Sequence, residues 1–358
     1  IKMDFTQKAR WVKDGHLTKD PVDSNYAGVV SRESVWIAFT YAALNGLNVC
    51  AGAIKSTYLQ APSSEKHYII CGKEFPLEMQ GRVAIIRRAL YGGKSAGADY
   101  WKHMQTCMEH LKFRSCEGDP DVWMQPAIKP GDGTEYWEYV LLYVDDALVI
   151  SMNAEDILRN EIGKYWTMKK DSIGPPKVYL GNKISKVLLE NGALAWAFSS
   201  SQYVQLAVSN VEDYLKKTGE KLPSRASTPF PTNYRPEIDT TKELNPTKAA
   251  YYQSLIGILR WVVELGRMDI TCEVSMMASM MALPREGHLN TLLHIFGHLK
   301  AHHNAELLLD PSVPDFDVQG KFPRKDWRYT PFADAKEDIP LKRPDSRGQG
   351  FTISANVD

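Results

Sequence analysis

Apolar positions in the first half of the chain switch repeatedly between helical and strand-like spacing. Over 31–45, Val35, Ile37, Ala38, Phe39, Ala42 and Leu44 recur near the helical period, with Ser31 placed to cap the start and Gly46 to stop it. A strand is predicted over 48–54 and an extended stretch over 67–71. A second helix is predicted over 96–111, where Tyr100, Trp101, Met104, Met108 and Leu111 form one buried face. Strands follow at 122–124 and on both sides of Tyr143-Val144-Asp145-Asp146, whose flanking apolar runs 139–142 and 147–150 predict a hairpin. A helix is predicted over 155–165, and extended segments over 177–198 fold about the turn signal Asn191-Gly192. Residues 222–246 carry repeated prolines and few apolar positions, the pattern of a linker. Helices over 247–266, 270–282 and 287–303 come next. A polar, proline-containing stretch at 311–344 and a final strand at 350–357 complete an α+β pattern without internal repeats.

Composition narrows this reading only slightly. With 358 residues, 44% of them hydrophobic, the chain can form two or three subdomains with real cores. Lys plus Arg and Asp plus Glu balance at 43 each, so any contact with nucleic acid must come from local basic clusters. The five cysteines, at 50, 71, 107, 116 and 272, include no C-x-x-C pair and suggest reduced, intracellular thiols. No run approaches the roughly 18 apolar residues of a membrane span, and no signal peptide opens the chain. The chain starts at Ile1 and stops just after a strand-like stretch, so it is expected to be cut from something larger.

The chemistry concentrates at Asp145 and Asp146. A tight turn between two strands presents adjacent carboxylates at a tip, where they can bind divalent metal. Phosphoryl transfer uses such sites, because paired ions stabilise both the attacking and the leaving oxygen. Taken alone, the same four residues also fit an ordinary Asp-Asp hairpin turn. His294, His298 and His302, at i, i+4 and i+8, share one helix face. With no cysteine and no H-E-x-x-H pattern beside them, they read more simply as a face touching phosphate or a neighbouring domain than as a zinc site. Gly93-Lys94-Ser95 is not a P-loop, since Arg88 stands where that motif needs glycine.

Several segments, in this order along essentially the whole chain, resemble the reverse transcriptase of copia-type long-terminal-repeat retrotransposons. Lys8-Ala9-Arg10 with Val12 and Gly15 is similar to the opening K-A-R-x-V-x-x-G segment. Ile54-Lys55-Ser56-Thr57-Tyr58-Leu59 resembles the first catalytic segment. Arg88-Ala89-Leu90-Tyr91-Gly92-Gly93-Lys94-Ser95 followed by Trp101 resembles the L-Y-G-L-K-Q-S-P segment, and Asp119-Pro120-Asp121-Val122-Trp123 the D-P-x-x-[YW] strand start. Trp166-Thr167-Met168-Lys169 and Tyr179-Leu180-Gly181-Asn182-Lys183-Ile184 resemble the closing segments of the palm. Ser201-Gln202-Tyr203, Tyr252-Gln253-Ser254-Leu255-Ile256-Gly257 and Arg267-Met268-Asp269-Ile270 match downstream segments, with Met268 in place of a proline. Gly350-Phe351-Thr352-Ile353 looks like the first strand of a ribonuclease H domain.

The resemblance implies a right-hand polymerase fold with fingers and an antiparallel-sheet palm over 1–198. A helical thumb and connection would occupy 199–310, with the proline-rich linker near 222–246. Residues 311–358 would be a linker and the truncated start of a ribonuclease H-like domain, with Asp358 as its first carboxylate. Asp334 is a weaker candidate for that role. The implied reaction is RNA-directed DNA synthesis, with two Mg²⁺ ions, or Mn²⁺, held by Asp145, Asp146 and the Ile54 backbone carbonyl. Lys8, Arg10, Tyr58 and Lys94 would bind the nucleotide, Tyr58 by excluding a 2′-hydroxyl. Tyr143, Gly92, Gly93, Leu180 and Gly181 would meet the primer–template. Implied partners are an RNA template, a DNA primer, a deoxynucleotide, an integrase upstream and ribonuclease H downstream in a polyprotein, with no membrane. The implied location is intracellular, in cytoplasmic virus-like particles and the nucleus when the element is active. The pattern departs from the family at position 53, where a metal-binding Asp is expected and Ala53 stands, and at Trp36, where arginine is usual. Impaired activity is therefore expected. The alternative is a catalytically dead remnant, or a non-catalytic nucleic-acid-binding protein of the same fold.

Overall fold

The run Ala147 to Ile150 is completely buried, and a strand without an exposed face needs cover on both sides. In the computed structural model that run lies inside a five-stranded sheet of the first of two units. The structure describes residues 11–223, 226–312, 331 and 343–350. The first unit takes Ile1–Gly174 together with Pro311–Asp358, and the second takes Pro175–Asp310. All strand pairs among the described residues are antiparallel, in agreement with the mixed α and β reading.

The first long element of the first unit is α1 (Arg32–Asn45), whose Ser31 side chain accepts from the Ser34 N–H and whose stop, Gly46, is left-handed at φ 61°, as the sequence predicts. Its strands are β1 (Asn48–Ala53), β2 (Pro62–Ile70), β3 (Val83–Arg88), β4 (Arg114–Ser115), β5 (Val122–Ile128), β6 (Glu135–Tyr143) and β7 (Asp146–Ser151). The five-stranded sheet runs β1-β7-β6-β5-β4, while β2 and β3 form a separate ribbon. Pro126 sits within β5 because β4 pairs only with Trp123 and Met124, leaving one side of the strand without a ladder to satisfy beyond that point. The short α2 (Thr57–Gln60) and the long α3 (Ala96–His110) follow β1 and β3 respectively. Tyr100, Met104 and Met108 of α3 share a core cluster with Ile54, just past β1, and with Val140, Ala147 and Val149 of the sheet.

The helix predicted over 155–165 is divided into α4 (Ala154–Asp156), a π-helical stretch Ile157–Ile162 and α5 (Gly163–Tyr165). A π-helical turn stacks residues five apart, so Ile157 and Ile162 can be buried together. Strand β3 lacks a clear sequence signal, because the ribbon alternates only between partly covered and open positions. Tyr68, Ile70, Val83 and Ile85 remain exposed on it.

The second unit has a four-stranded sheet in the order β11-β10-β9-β8, built from β8 (Val178–Tyr179), β9 (Asn182–Leu188), β10 (Leu194–Ser199) and β11 (Glu306–Leu309). The turn at Asn191-Gly192 falls as predicted, with Gly192 at φ 82°. A second turn, Leu180-Gly181, has φ 47° and 89°, the left-handed pair that joins two strands with two residues. Helices α6 (Ser201–Thr218), α7 (Pro246–Glu264), α8 (Thr271–Ala278) and α9 (Glu286–Ala301) contribute to a separate core around Val204, Tyr252, Leu259, Val274 and Phe296. Asn245 caps α7 by accepting from Lys248 N–H at 2.9 Å, and Pro246 occupies the first helical position, where its missing N–H costs nothing. The stretch expected as a linker is fastened to α9. Arg285 donates to the Thr241 carbonyl at 2.6 Å and pairs with Glu243 at 3.1 Å, while the His288 ring bonds the Pro236 carbonyl at 3.0 Å.

Candidate functional site

Tyr143 and Asp146 are register partners across the two-residue turn Val144-Asp145. Val144 adopts φ 53°, a left-handed backbone that a β-branched side chain takes only under strain. Two hydrogen bonds hold the strained tip. The buried Tyr100 hydroxyl donates to the Val144 carbonyl at 2.7 Å, and Ile54 N–H donates to the Asp145 carbonyl at 2.7 Å.

Position 53 is next to this tip. Ala53 and Asp146 are direct partners across β1 and β7, so their side chains share a sheet face with Cβ atoms about 4.5–5.5 Å apart. A third segment, 166–174, closes over the end of β1. Lys169 N–H donates to the Ala53 carbonyl at 2.7 Å, and Ala53 N–H donates to Ser172 Oγ at 3.1 Å. Ser172 Oγ in turn donates to the Lys169 carbonyl at 2.8 Å. This arrangement sets Lys169 Nζ 2.6 Å from Asp145 Oδ2, with the two side chains 46% and 40% exposed. At that exposure the pair contributes only about 0–1 kcal/mol, and an incoming cation can displace the ammonium.

Burial, followed by the neighbouring Asp145 charge, pushes the Asp146 carboxyl above the usual carboxylate range, and Lys169 offsets part of the rise. The cluster is short of positive charge. Two carboxylates stand at this tip, and the carbonyl of Ile54, whose N–H holds the tip, accepts a hydrogen bond from the Thr57 hydroxyl at 3.4 Å. Oxygen donors of this type suit a hard cation such as Mg²⁺. Among the described residues, however, no group of three His, Cys, Asp or Glu side chains converges. The donor set fits a hard cation with one carboxylate fewer than an acid at 53 would give.

Aromatic rings support the tip. Tyr58 lies 5.0 Å from the Tyr91 ring and 5.8 Å from Tyr100, and Tyr100 meets Trp166 edge-on at 5.4 Å. Burial, then the nearby Tyr91 and Asp145, raises the Tyr58 phenol, so it stays neutral. Tyr58, Tyr100, Asp121 and Val144 help line a recess of about 90 Å³. Asp121 is fixed there by the Trp101 indole N–H at 2.8 Å. Asp119 instead anchors α1, accepting from Ser31 N–H at 2.9 Å and the Ser34 hydroxyl at 2.7 Å. Arg32 stands 5.9 Å from the centre of the half-buried Tyr143 ring.

Gly92 and Gly15 interlock two of the sequence motifs. A Cβ on Gly92 would strike the Lys13 carbonyl oxygen, and one on Gly15 would strike the Gly92 carbonyl. Gly92 also has φ +82°. Gly92→Ala is expected to destabilise the protein by about 2–4 kcal/mol from combined strain and collision. Gly81→Ala, at φ +74° but with open space around it, should cost about 1 kcal/mol. Equal midpoints in urea for the two variants would refute the collision. At Gly93 the nearest neighbour of an added Cβ is the Leu90 carbonyl oxygen, at 3.1 Å. Lys94 is engaged, donating to the Thr18 carbonyl and to Asp20, each at 2.8 Å.

The sequence candidates thus divide by place. Ala53, Ile54, Tyr58, Asp145 and Asp146 come together around the tip, with Tyr143 leading into it. Leu180 and Gly181 form the turn in the second unit, while Lys8, Arg10, Asp334 and Asp358 lie outside the described residues. Sequence reasoning missed the ion pair of Lys169 and the clasp of Ser172. The available signals were the segment Trp166-Thr167-Met168-Lys169 and the basic pair Lys169-Lys170 that ends it. The histidine row is structural at two of its positions: His294 bonds the Thr228 carbonyl at 3.0 Å and His298 the Ala226 carbonyl at 3.2 Å.

Residues 2–211 match the family model described as reverse transcriptase (RNA-dependent DNA polymerase). The chain is also similar to a transposon Ty5-1 protein of Saccharomyces cerevisiae, at 27% identity over 216 residues, covering 59% of this chain and 62% of that protein. The chain therefore spans less than two thirds of the length of that relative. No helix among the described residues is long and apolar enough to cross a membrane.

Proposed function

The chain belongs to the reverse transcriptase (RNA-dependent DNA polymerase) family, and from that premise we propose that the tip at Asp145 is its nucleotidyl-transfer centre, weakened in this copy by Ala53. The observation that carries the reading is the register of Ala53 opposite Asp146, beside a two-residue turn that presents Asp145. A polymerase must bring its carboxylates from distant segments to one phosphate, and strand ends around a cleft are how such sites are assembled. We assign fingers and palm to 1–198, thumb and connection to 199–310, and a linker with the start of a ribonuclease H-like domain to 311–358.

In this reading Asp145, Asp146 and the Ile54 carbonyl would hold Mg²⁺, or Mn²⁺, as a pair of ions. Bound there, the metal would supply positive charge to offset what develops at the α-phosphate during attack by a primer 3′-hydroxyl. The protein's own part is positioning. Tyr100 and Ile54 N–H keep the tip in its strained shape, and Tyr58 offers a neutral ring as a floor for the sugar. Lys169 occupies Asp145 until a cation arrives. Lys8, Arg10 and Lys94 would meet the triphosphate, Lys94 after leaving Asp20. Tyr143, Gly92, Gly93, Leu180 and Gly181 are proposed to contact the primer–template. Integrase and ribonuclease H segments of a polyprotein are the proposed neighbours, and virus-like particles and the nucleus the proposed locations.

A second reading, a nucleic-acid binder without catalysis, is favoured by the missing third carboxylate. Binding and chemistry can be separated. The chain is expected to bind an RNA–DNA hybrid with affinity that falls as salt rises, by a log–log slope near 0.9 per phosphate contacted if the hybrid behaves like B-form DNA. Absence of binding at low salt, or affinity indifferent to salt, would count against both readings. Slow, Mg²⁺-dependent extension of a DNA primer on an RNA template would select the first reading over the second.

A further inference from the structure

Residues 343–350, Arg-Pro-Asp-Ser-Arg-Gly-Gln-Gly, contain no large apolar side chain, and such a stretch ordinarily stays solvated. Here it lies across the face of the first unit made by α1 and β6. Side chains of that face recognise its backbone. The Asn45 amide donates to the Gln349 carbonyl at 2.8 Å and accepts from the Gln349 N–H at 2.7 Å, replacing both hydrogen bonds that a neighbouring strand would supply. Tyr41 donates to the Arg347 carbonyl at 3.2 Å, and the Trp137 indole N–H to the Asp345 carbonyl at 3.0 Å.

Two further contacts read the sequence of the segment. Arg347 pairs with Glu135 at 2.6 Å and stands 5.4 Å from the Trp137 ring, which also has Arg114 at 4.8 Å. Gly348 has φ +75°, and a Cβ there would come within 2.6 Å of Asn45 Oδ1 and 2.9 Å of the Tyr41 hydroxyl. Only glycine fits at that point. Beneath the segment is a cavity of about 610 Å³ whose lining includes Ile37, Tyr41, Met124, Trp137 and Tyr139. Without the segment this apolar wall would face water.

We propose that the α1–β6 face is a peptide-recognition groove specific for an Arg-Gly-Gln sequence whose glycine takes a left-handed backbone, and that residues 343–350 of this chain are its occupant. The groove completes the second layer of the five-stranded sheet and ties the chain that follows the second unit back to the first. This inference goes beyond the polymerase reading and does not depend on it.

The test introduces a protease cleavage sequence after Pro331 in the full chain and follows the C-terminal fragment by size exclusion once a denaturing gel shows complete cutting. In the otherwise unaltered chain the fragment is expected to co-elute with the body. With Gly348→Val it should separate, its affinity reduced at least tenfold. Circular dichroism of the uncut Gly348→Val chain should match that of the unaltered chain. Asn45→Ala should release the fragment as well, with circular dichroism of the uncut variant reporting on its fold. Separation of the unaltered fragment, or retention of the Gly348→Val fragment as firmly as the unaltered one, overturns the proposal.

Discussion

Ala53→Asp is expected to raise primer extension by about 10- to 100-fold or more, the range that changes around a metal centre commonly produce. Asp145→Asn should abolish whatever activity remains, alone or combined with Ala53→Asp, since carboxylates serving the same ions act as a unit and their effects do not add. The register supplies a second readout. An acid at 53 would stand directly across from Asp146, and like charges in that relation repel by roughly 0.2–1 kcal/mol. The variant should therefore melt below the parent without divalent cation and gain more than the parent when Mg²⁺ or Mn²⁺ is added. Burial and Asp145 already hold the Asp146 carboxyl high, so added negative charge raises it further until a cation offsets it. Equal extension rates for parent and Ala53→Asp would show that another group completes the site. A variant that binds hybrid duplex but stays inactive would place an additional defect elsewhere, with Trp36 the first position to examine.

A large effect on stability is also expected in the second unit. Arg267 is 2% exposed and forms a two-pronged contact with Asp269, Nε to Oδ1 at 2.8 Å and Nη2 to Oδ2 at 2.6 Å. Asp269→Ala would strand that guanidinium in the interior and is expected to cost about 3 kcal/mol, toward the lower end for a broken buried pair because the carboxylate side is partly open to water. Arg267→Met, which removes the charge together with its need for a partner, should cost less. Burial works to raise the Asp269 carboxyl, but hydrogen bonding and charge attraction from Arg267, with help from His298, leave it net lowered. Its contribution is therefore intact above the unfolded carboxylate value near 3.9 and is lost as pH falls through the lower folded value. Denaturation of the parent and Asp269→Ala should converge at acid pH. A constant gap from pH 7 to pH 2 would exclude this assignment.

Where one residue type carries a local physical signal, the sequence predicts the structure well. Ser31 and Gly46 bracket α1 because a cap needs an acceptor and a stop needs a left-handed backbone. Asn191-Gly192 turns for the same kind of reason, and the hairpin at 143–146 follows from apolar runs on both sides of polar residues. Legibility fails where the decisive partner is distant. The salt bridge from Lys169 to Asp145 depends on a segment folding over the end of β1, and no local pattern encodes that approach. Strand β3 is hidden because its ribbon has no fully buried face to impose a clean alternation. Helix α6 goes unpredicted, although Val204, Val208, Val211 and Leu215 are buried at helical spacing. The short motif at its start obscures the longer period. The buried pairing of Arg267 with Asp269 shows how a motif can be recognised by its letters while its role is structural.

The groove filled by residues 343–350 also sets a schedule for synthesis. Trp137 must wait for a partner 208 positions further along the chain. At translation rates of about 5–20 residues per second this leaves its apolar wall uncovered for on the order of 10–40 s. During that interval the sheet has one finished face and one sticky face, and the nascent chain needs a chaperone or a low local concentration to keep copies apart. A stalled ribosome that releases the chain before residue 350 would deliver a product able to fold its β7 core yet prone to aggregate through the face around Trp137.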